Sequence, residues 1–131
     1  MTIVDTSVWI DFLEGGDHWT KERLKEKLLD REFILYTEMI LREIIQGIRE
    51  GEGREKIVRM FEPLVFAYHR RSTTMLAAEI YQKLQRKGFR IRSIIDCLIA
   101  AVAIETGASV LHRDRDFEFI ALHYPVITEK E

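Results

Sequence analysis

Short β-prone runs alternate with amphipathic helical segments along almost the whole chain. Such an alternation favours right-handed βαβ crossovers and a mostly parallel sheet that is covered by helices on both faces. The strands are predicted at residues 2–4, 33–35, 64–67 and 109–111, with a further edge strand at 124–127. The sequence therefore predicts an α/β fold with a central sheet of four or five strands.

Capping residues and glycines delimit the helical segments. Residues 93–106 are almost continuously apolar and are followed by Gly107, which predicts a central, buried helix. The Gly51-Glu52-Gly53 segment is predicted to end the helix that follows Thr37. The other helices are predicted at about residues 8–13, 19–31, 54–61, 72–88 and 116–121.

The length and composition of the chain suit a single hydrophobic core. A chain of 131 residues, 47% of them hydrophobic, is too short for two domains, so residues 1–131 are expected to form one domain. Its 22 acidic and 20 basic residues give a formal net charge of −2, so the whole chain carries no field that would attract nucleic acid. A polyanion must therefore bind to a local basic patch.

The sequence gives no sign of secretion or of membrane insertion. The only cysteine, Cys97, cannot form an intramolecular disulfide, as is typical of a reducing compartment. Asp5 and Asp11 interrupt the first apolar stretch, which argues against a signal peptide. The longest uninterrupted apolar run, residues 97–104, is far shorter than the roughly 20 residues that span a bilayer. We therefore expect a soluble cytoplasmic protein.

Four apolar segments end on a carboxylate, and the acids are Asp5, Glu43, Asp96 and Asp114. In a parallel α/β sheet, the carboxyl ends of the strands and the first turns of the helices that follow them meet at one edge. Carboxylates that are crowded together repel one another, so such a cluster normally persists where a cation neutralises it. The pattern predicts a divalent-metal site at that edge.

Each acid also has an ordinary structural explanation. Asp5 and Asp114 could cap the helices that follow them, and Ser93 to Asp96 has the spacing of a capping box with Asp in place of Glu or Gln. Glu43 could be a solvated residue at the border of an apolar helix face. Four unrelated caps need not lie on one side of a sheet, whereas the ligands of a metal must, so the joint pattern favours a functional site.

The segments around these acids are Ile-Val-Asp-Thr-Ser at 3–7, Leu-Arg-Glu-Ile-Ile-Gln-Gly at 41–47, Ile-Asp-Cys-Leu-Ile-Ala-Ala at 95–101 and His-Arg-Asp-Arg-Asp-Phe at 112–117. In this order they resemble the PIN-domain ribonucleases, particularly the VapC-type toxins of toxin/antitoxin pairs, over essentially the whole chain. The resemblance implies catalytic roles for Asp5, Glu43, Asp96 and Asp114, with Asp5, Asp96 and Asp114 as metal ligands. Asp116 could share or replace the role of Asp114.

The resemblance implies a Mg²⁺-dependent endoribonuclease, with Mn²⁺ as a substitute ion, that hydrolyses single-stranded or looped RNA and leaves a 5′ phosphate. Mg²⁺ prefers oxygen ligands, and coordination lowers the pKa of water so that a nucleophile is available at neutral pH. Glu43 would orient or deprotonate the water, or help to hold a second metal. Whether one or two metals bind stays open, and the resemblance also implies an antitoxin partner and a homodimer.

Several other residues are candidates for supporting roles. Arg90 and Arg92, just ahead of Asp96, are expected to hold RNA phosphates beside the scissile bond, although a solvated surface is the alternative. Thr6 and Ser7 could orient Asp5 or a metal-bound water, or they could cap the first helix. The four histidines lack metal-ligand spacing, so we predict no zinc site and expect structural or surface roles for them.

Two other functions agree with part of the pattern. A receiver-type phospho-acceptor domain also gathers acids at the end of a parallel sheet, but it needs a site lysine after a later strand and none is so placed. A non-catalytic PIN-like module that binds RNA or protein is the second alternative. The presence of all four acids argues against it, because a module that only binds has no need for a complete set.

Overall fold

Four parallel strands form the central sheet in the computed structural model, which describes residues 1–48 and 53–131. The strands are β1 (Thr2–Val4), β2 (Ile34–Tyr36), β3 (Val65–Phe66) and β4 (Ser109–Leu111). They lie in the order β3-β2-β1-β4, and every neighbouring pair is parallel. The prediction of an α/β fold with a mostly parallel sheet is confirmed.

Helices connect the strands and cover the sheet. They are α1 (Thr6–Leu13), α2 (Trp19–Leu29), α3 (Glu38–Gly47), α4 (Arg54–Phe61), α5 (Arg71–Arg86), α6 (Ile94–Thr106) and α7 (Arg115–Ala121). None of those described in residues 1–48 and 53–131 combines the length and the apolar character that crossing a bilayer requires.

The chain order creates a switch point between β1 and β4. The chain leaves β1 toward β2 and β3 on one side, and it later returns to place β4 on the other side of β1. Clefts of open α/β sheets form outside the carboxyl ends of the two strands at such a point. Asp5 follows β1 directly, and Asp114 lies in the turn between β4 and α7, so both acids stand at this cleft.

The hydrophobic core lies on both faces of the sheet. Ile3 and Val4 point to opposite faces of β1, and both have no exposed surface. Helix α6 contacts β1, β4, α5 and α7, which explains why its sequence is apolar almost all round. Cys97 is buried in this helix, and burial raises the pKa of its thiol to about 12, so the thiol stays un-ionised and packs as a small hydrophobe.

Two glycines at helix ends adopt the left-handed backbone conformation, which glycine tolerates better than other residues do. Gly107 ends α6 with a φ of 78°, as predicted, and Gly53 precedes α4 with a φ of 90°. Helix α3 ends at Gly47, earlier than predicted. Gly51 and Glu52, which belong to the predicted stop signal of that helix, lie outside the described residues.

The predicted edge strand at 124–127 is wrong. The chain makes one parallel bridge just after this segment, between Thr128 and Val110, in which the Val110 N–H donates to Ile127 O at 2.8 Å and the Glu129 N–H donates to Val110 O at 2.9 Å. Pro125 has no N–H to donate to a ladder, so the segment extends the sheet beyond β4 only at this point.

Glu129 fastens this C-terminal segment to the rest of the molecule. Its carboxylate accepts hydrogen bonds from Thr2 Oγ1 and Ser109 Oγ, both at 3.0 Å, and lies 3.1 Å from Arg23 Nη1 and from Lys27 Nζ. Lys27 is itself buried, so the carboxylate neutralises a cation that has little access to water. The network holds the chain end beside β4.

Candidate metal centre

Asp5 stands at the junction of β1 and α1. Its Oδ2 accepts hydrogen bonds from the Ser7 hydroxyl at 2.6 Å and from the Ser7 N–H at 3.3 Å, so it caps α1. The Asp5 N–H donates to Leu111 O at 2.9 Å, which ties the end of β1 to the end of β4. Capping and a place at the cleft are therefore compatible, and Ser7 is the hydroxyl residue that orients Asp5.

Glu43 reaches the same cleft from α3. Its Oε1 accepts a hydrogen bond from Thr6 Oγ1 at 2.8 Å, and its side chain is half-buried. Thr6 therefore orients Glu43, a role that was not among those expected from the sequence, which were orientation of Asp5 or of a metal-bound water, or capping of α1. The negative charge of Glu43 lies close enough to contribute to raising the pKa of both Asp5 and Asp96.

Asp96 lies in the first turn of α6 and is almost fully buried. Ser93 caps this helix, with its hydroxyl oxygen accepting from the Ile95 N–H at 3.2 Å. Asp96 Oδ2 is buried and lacks a hydrogen-bond partner among the described residues. The side chain of Asp96 is thus turned toward the cleft and leaves one carboxylate oxygen unsatisfied there.

Asp114 and Asp116 enter the cleft together from the turn after β4. Asp114 Oδ1 accepts from the Asp116 N–H at 2.9 Å and so caps α7. Asp116 has no exposed surface, and its Oδ2 accepts from the backbone N–H of Arg92 at 2.9 Å. Its Oδ1 is buried with no partner in the described part of the chain. The sequence left open whether Asp114 or Asp116 is the last acid of the site, and the structure places both beside Asp96.

Asp96, Asp114 and Asp116 form the tightest acidic group. One carboxylate oxygen of each lies within 4.8 Å of the others, so a single cation could contact all three. Asp5, which the resemblance assigned as a ligand, is outside this group, although its charge is the largest charge effect on Asp96. This convergence supports the catalytic and metal-binding roles predicted from the sequence. Those roles stay predictions, and the residues are Asp5, Glu43, Asp96, Asp114 and Asp116.

Crowding and burial change the proton affinity of two of these acids. Burial raises the pKa of Asp96 to about 8, and the charges of Asp5, Asp114, Asp116 and Glu43 contribute to the rise. Burial also raises the pKa of Asp5 above its ordinary value, against the effect of the Ser7 hydrogen bonds. Without a cation, Asp96 holds a proton near neutral pH, and a cation in the cluster would displace that proton.

His112 supports Asp114 in a way that the sequence did not suggest. Its Nδ1 accepts from the Asp114 N–H at 3.1 Å, so Nε2 carries the proton of the neutral ring and donates to Glu118 Oε1 at 2.9 Å. Glu118 Oε2 in turn lies 2.6 Å from Lys130 Nζ. We expected a structural or surface histidine, and no pattern in the sequence indicated a bond to the backbone of a neighbouring acid.

Arg90 and Arg92 lie in the segment between α5 and α6, and both are exposed. That their side chains contact RNA phosphates stays a prediction. The backbone N–H of Arg92 has a further role that was missed, since it holds one oxygen of Asp116. Any residue except proline can supply such an N–H, so its side-chain type gave no signal.

Arg113 forms an ion pair with Asp11. Its Nη1 lies 3.0 Å from Asp11 Oδ1 of α1, and the Asp11 side chain is largely buried. The pair joins α1 to the turn that carries Asp114. Gly16 makes room for it, because a Cβ at position 16 would stand 1.7 Å from Asp11 Oδ1.

Comparison with known proteins identifies relatives of the whole chain. The PIN domain family matches residues 2–121. VapC ribonuclease Mb1587 of Mycobacterium bovis and Ribonuclease VapC11 of Mycobacterium tuberculosis are each 34% identical to this chain over 124 residues, which is 92% of this chain and 92% of the relative.

A solved structure shares the fold. The complex VapBC2 from Rickettsia felis, bound to a DNA fragment from its promoter, contains a chain that matches this one with a TM-score of 0.73 and 20% identity. The match covers 98% of this chain and 96% of that chain. At this identity the likeness concerns the arrangement of the backbone, and it agrees with the four-stranded sheet and its helices.

Proposed function

Because this chain belongs to the VapC-type ribonucleases of the PIN-domain family, we propose that it is a metal-dependent endoribonuclease and the toxin of a toxin/antitoxin pair. The observation that carries the proposal is the group of Asp96, Asp114 and Asp116, whose carboxylate oxygens lie within 4.8 Å of one another. The receiver-type alternative is set aside, since the family match covers residues 2–121.

The donor set suits a hard divalent cation. It consists of carboxylate oxygens, and two of them, Asp96 Oδ2 and Asp116 Oδ1, are buried with no hydrogen-bond partner among the described residues. Unsatisfied buried oxygens are costly unless a cation or a donor meets them. The nearby His112 already uses both ring nitrogens in hydrogen bonds, so the set is an oxygen set. Mg²⁺ or Mn²⁺ fits it better than zinc does.

Each acid has a distinct proposed role. Asp96, Asp114 and Asp116 would hold the cation, and the nearby Asp5 would add its negative charge to the site. A bound divalent cation supplies a water nucleophile at neutral pH and offsets the charge that develops on the phosphate. Glu43, with Oε1 fixed by Thr6, uses its second oxygen to orient the attacking water and accept its proton. The leaving 3′ oxygen of the ribose then receives a proton from solvent.

The substrate and partners follow from the chemistry and the relatives. The substrate is single-stranded or looped RNA, and Arg90 and Arg92 contact its phosphates. The similarity to VapBC2 supports an antitoxin protein as the partner. The homodimer as the working form rests only on the resemblance to VapC-type toxins. We place the protein in the cytoplasm, in agreement with the lone, buried thiol of Cys97, and regard residues 1–131 as one nuclease domain.

Removal of divalent metal is the test of this function. A fluorescent single-stranded RNA should be cut by the purified protein in Mg²⁺ or Mn²⁺. In EDTA, cleavage should fall at least about 100-fold because several kcal/mol of charge stabilisation are lost. Added Mn²⁺ should restore the activity, and the products should carry 5′ phosphates. Cleavage that is equal with and without EDTA would contradict the proposal, and tight binding without cleavage would favour the non-catalytic module.

His112 provides a second test of the site. The change His112→Phe removes the acceptor of the Asp114 N–H while keeping an aromatic ring against Phe117, and His112→Asn places an amide oxygen close to the position of Nδ1. We expect Mn²⁺ affinity, measured by calorimetry, to fall about 10- to 100-fold in the first variant and much less in the second.

A matched control is His69→Phe, since His69 lies outside the acidic cluster, between β3 and α5. It should leave Mn²⁺ affinity unchanged. If the folded His112→Phe protein bound Mn²⁺ as tightly as the control did, His112 would have no part in positioning Asp114.

A further inference from the structure

A cavity of about 260 Å³ opens where α5 passes into α6. It is lined by Tyr81 and Gln85, which are one helical turn apart on α5, and by Gly88, Phe89, Arg90 and Ile91 of the connecting segment. This volume is slightly below the range of roughly 300–1,000 Å³ that is usual for drug-sized ligands. The cavity therefore suits a group smaller than a drug-sized ligand.

The walls of the cavity are fixed by packing. The Phe89 ring packs against Phe119, with ring centroids 4.8 Å apart, and the Phe89 N–H donates to Leu84 O at 2.9 Å. Gly88 has a φ of 88°, which turns the chain sharply after α5. Helix α7 thus holds one wall and helix α5 holds the other. A ligand would meet a preformed wall to which two aromatic residues, Tyr81 and Phe89, and the amide residue Gln85 contribute.

The surroundings of the cavity are cationic. Arg90 lines the cavity, and Arg86, Lys87 and Arg92 are neighbours in sequence of its lining residues. All four are exposed, and no ion pair involves any of them within residues 1–48 and 53–131. The neighbouring acid on α5, Glu79, accepts a hydrogen bond from Tyr124 OH at 3.2 Å. A chain with a net charge of −2 therefore presents a local positive patch at this position. Such a patch complements a polyanion.

The same segment reaches the acidic cluster. Ile91 lines the cavity, and the N–H of the next residue, Arg92, donates to Asp116 Oδ2 at 2.9 Å. Consecutive Cα atoms are about 3.8 Å apart, so the cavity and the cluster are close enough for one strand of RNA to contact both. A phosphate at the acids would leave a neighbouring base near Tyr81 and Phe89.

We propose that this cavity binds one unpaired base of the RNA next to the phosphodiester that is cut. Stacking on Tyr81 or Phe89 holds the base, the Gln85 amide hydrogen-bonds its edge, and Arg90 and Arg92 bind the adjoining phosphates. The inference rests on the proposed endoribonuclease function and adds a physical basis for the choice of single-stranded or looped RNA. A base within a duplex is stacked and paired, so it cannot enter the cavity.

Binding of RNA without cleavage tests the proposal. In an Asp96→Asn background, a fluorescein-labelled single-stranded RNA decamer of mixed sequence would be titrated by anisotropy against the parent, Tyr81→Ala/Gln85→Ala, Arg90→Ala and Tyr68→Ala. Tyr68 is an exposed tyrosine outside the cavity and is the matched control. We expect the double change to weaken binding about tenfold, the control to have no effect, and Arg90→Ala to lower the salt slope of binding by about one.

An abasic series locates the base. One abasic site is moved along the decamer, and at one position it should weaken binding by the parent about tenfold while leaving binding by Tyr81→Ala/Gln85→Ala unchanged. Circular dichroism checks that each variant is folded, and Mn²⁺ titration of the same changes with Asp96 retained checks that they leave metal affinity unchanged. If the double variant does not fold, Gln85→Ala alone, a change at an exposed position, replaces it.

The possible results distinguish a failure of the base-binding proposal from a failure of the proposed ribonuclease function. The base-binding proposal is overturned if the cavity variants and Tyr68→Ala bind the RNA equally well while the wild-type protein still cleaves it. It is also overturned if Tyr81→Ala/Gln85→Ala changes the oligomeric mass in light scattering, since the cavity would then be an interface between copies. If the wild-type protein neither binds nor cleaves the decamer, the proposed function and this proposal fail together.

Discussion

Replacing Asp96 with asparagine should lower RNA cleavage by about 10³-fold and, in metal-free protein, raise the free energy of unfolding. The loss of activity follows because asparagine keeps the shape of the side chain but cannot offer an anionic ligand from the first turn of α6. A loss of 10³ in rate corresponds to roughly 4 kcal/mol of transition-state stabilisation, which is the scale of metal-ion catalysis.

The same change should raise stability although it lowers activity, and the reason is electrostatic. Burial and the charges of neighbouring acids raise the pKa of Asp96 to about 8. Keeping this carboxyl in the folded protein near neutral pH therefore costs free energy relative to the unfolded chain, where it ionises freely. Asparagine removes the ionisable group. At about pH 7.5, we expect the free energy of unfolding in EDTA to rise by roughly 4 kcal/mol relative to the wild type.

Cleavage assays and urea unfolding in EDTA measure the two effects on the same protein. Asp17→Asn, a change at an exposed acid in the loop before α2, is the matched control and should alter neither quantity. A variant that lost activity and stability together would indicate a structural role for Asp96. A variant that kept full activity would remove Asp96 from the metal site.

The stability of the metal-free protein should fall as the pH rises from about 5.5 to 8. The pKa of Asp96 is raised to about 8 in the folded protein, and that of an unfolded Asp is about 4, so the folded state binds the extra proton in this window. Unfolding releases that proton, so raising the pH favours unfolding. We expect a loss of roughly 3 kcal/mol across the window, with Asp5 acting in the same direction.

Other acids act in a lower range of pH. The carboxyls of Glu105, Glu118 and Glu129 have lowered pKa values because of hydrogen bonds from hydroxyl or lysine donors, which outweigh the effect of burial in Glu118 and Glu129. The stability they contribute is complete above the ordinary pKa of Glu and is lost only as the pH falls below it. Between about pH 5.5 and 8 the acidic cluster therefore decides the slope.

Saturating Mn²⁺ should reverse this slope. A cation requires deprotonated carboxylates, so protons compete less with the cation as the pH rises. At a concentration of 100 times its Kd, the bound cation adds about 2.7 kcal/mol to the free energy of unfolding. Denaturant melts at about pH 5.5 and 8, with EDTA and with Mn²⁺, measure both slopes. A metal-free protein that gained stability toward pH 8 would contradict the raised pKa of Asp96.

Local sequence patterns were sufficient to predict most of the architecture. The alternation of β-prone and amphipathic runs gave the strands β1 to β4 within one or two residues of their positions, because burial on both faces demands short apolar strands and periodic helices. The edge strand at 124–127 was wrong because one residue without an N–H, Pro125, outweighed the β-prone residues around it.

The candidate site was predictable in its acids and not in their partners. Asp5, Asp96 and Asp114 follow apolar runs in the sequence, and strand ends of a parallel sheet meet at one edge, so their convergence follows from the order of the elements. Which hydroxyl orients which acid, Thr6 to Glu43 and Ser7 to Asp5, depends on the rotation of α1 relative to α3. No spacing along the chain encodes that rotation.

The sequence by itself determined a parallel α/β sheet with acids gathered at its carboxyl edge, because those properties depend on the order of residues along short segments. Only the tertiary structure decided that Asp116, rather than Asp5, lies with Asp96 and Asp114, and that His112 and the Arg92 N–H hold two of these acids. The physical reason is that a metal site is set by distances of a few ångströms between segments that are remote in sequence, and packing fixes those distances.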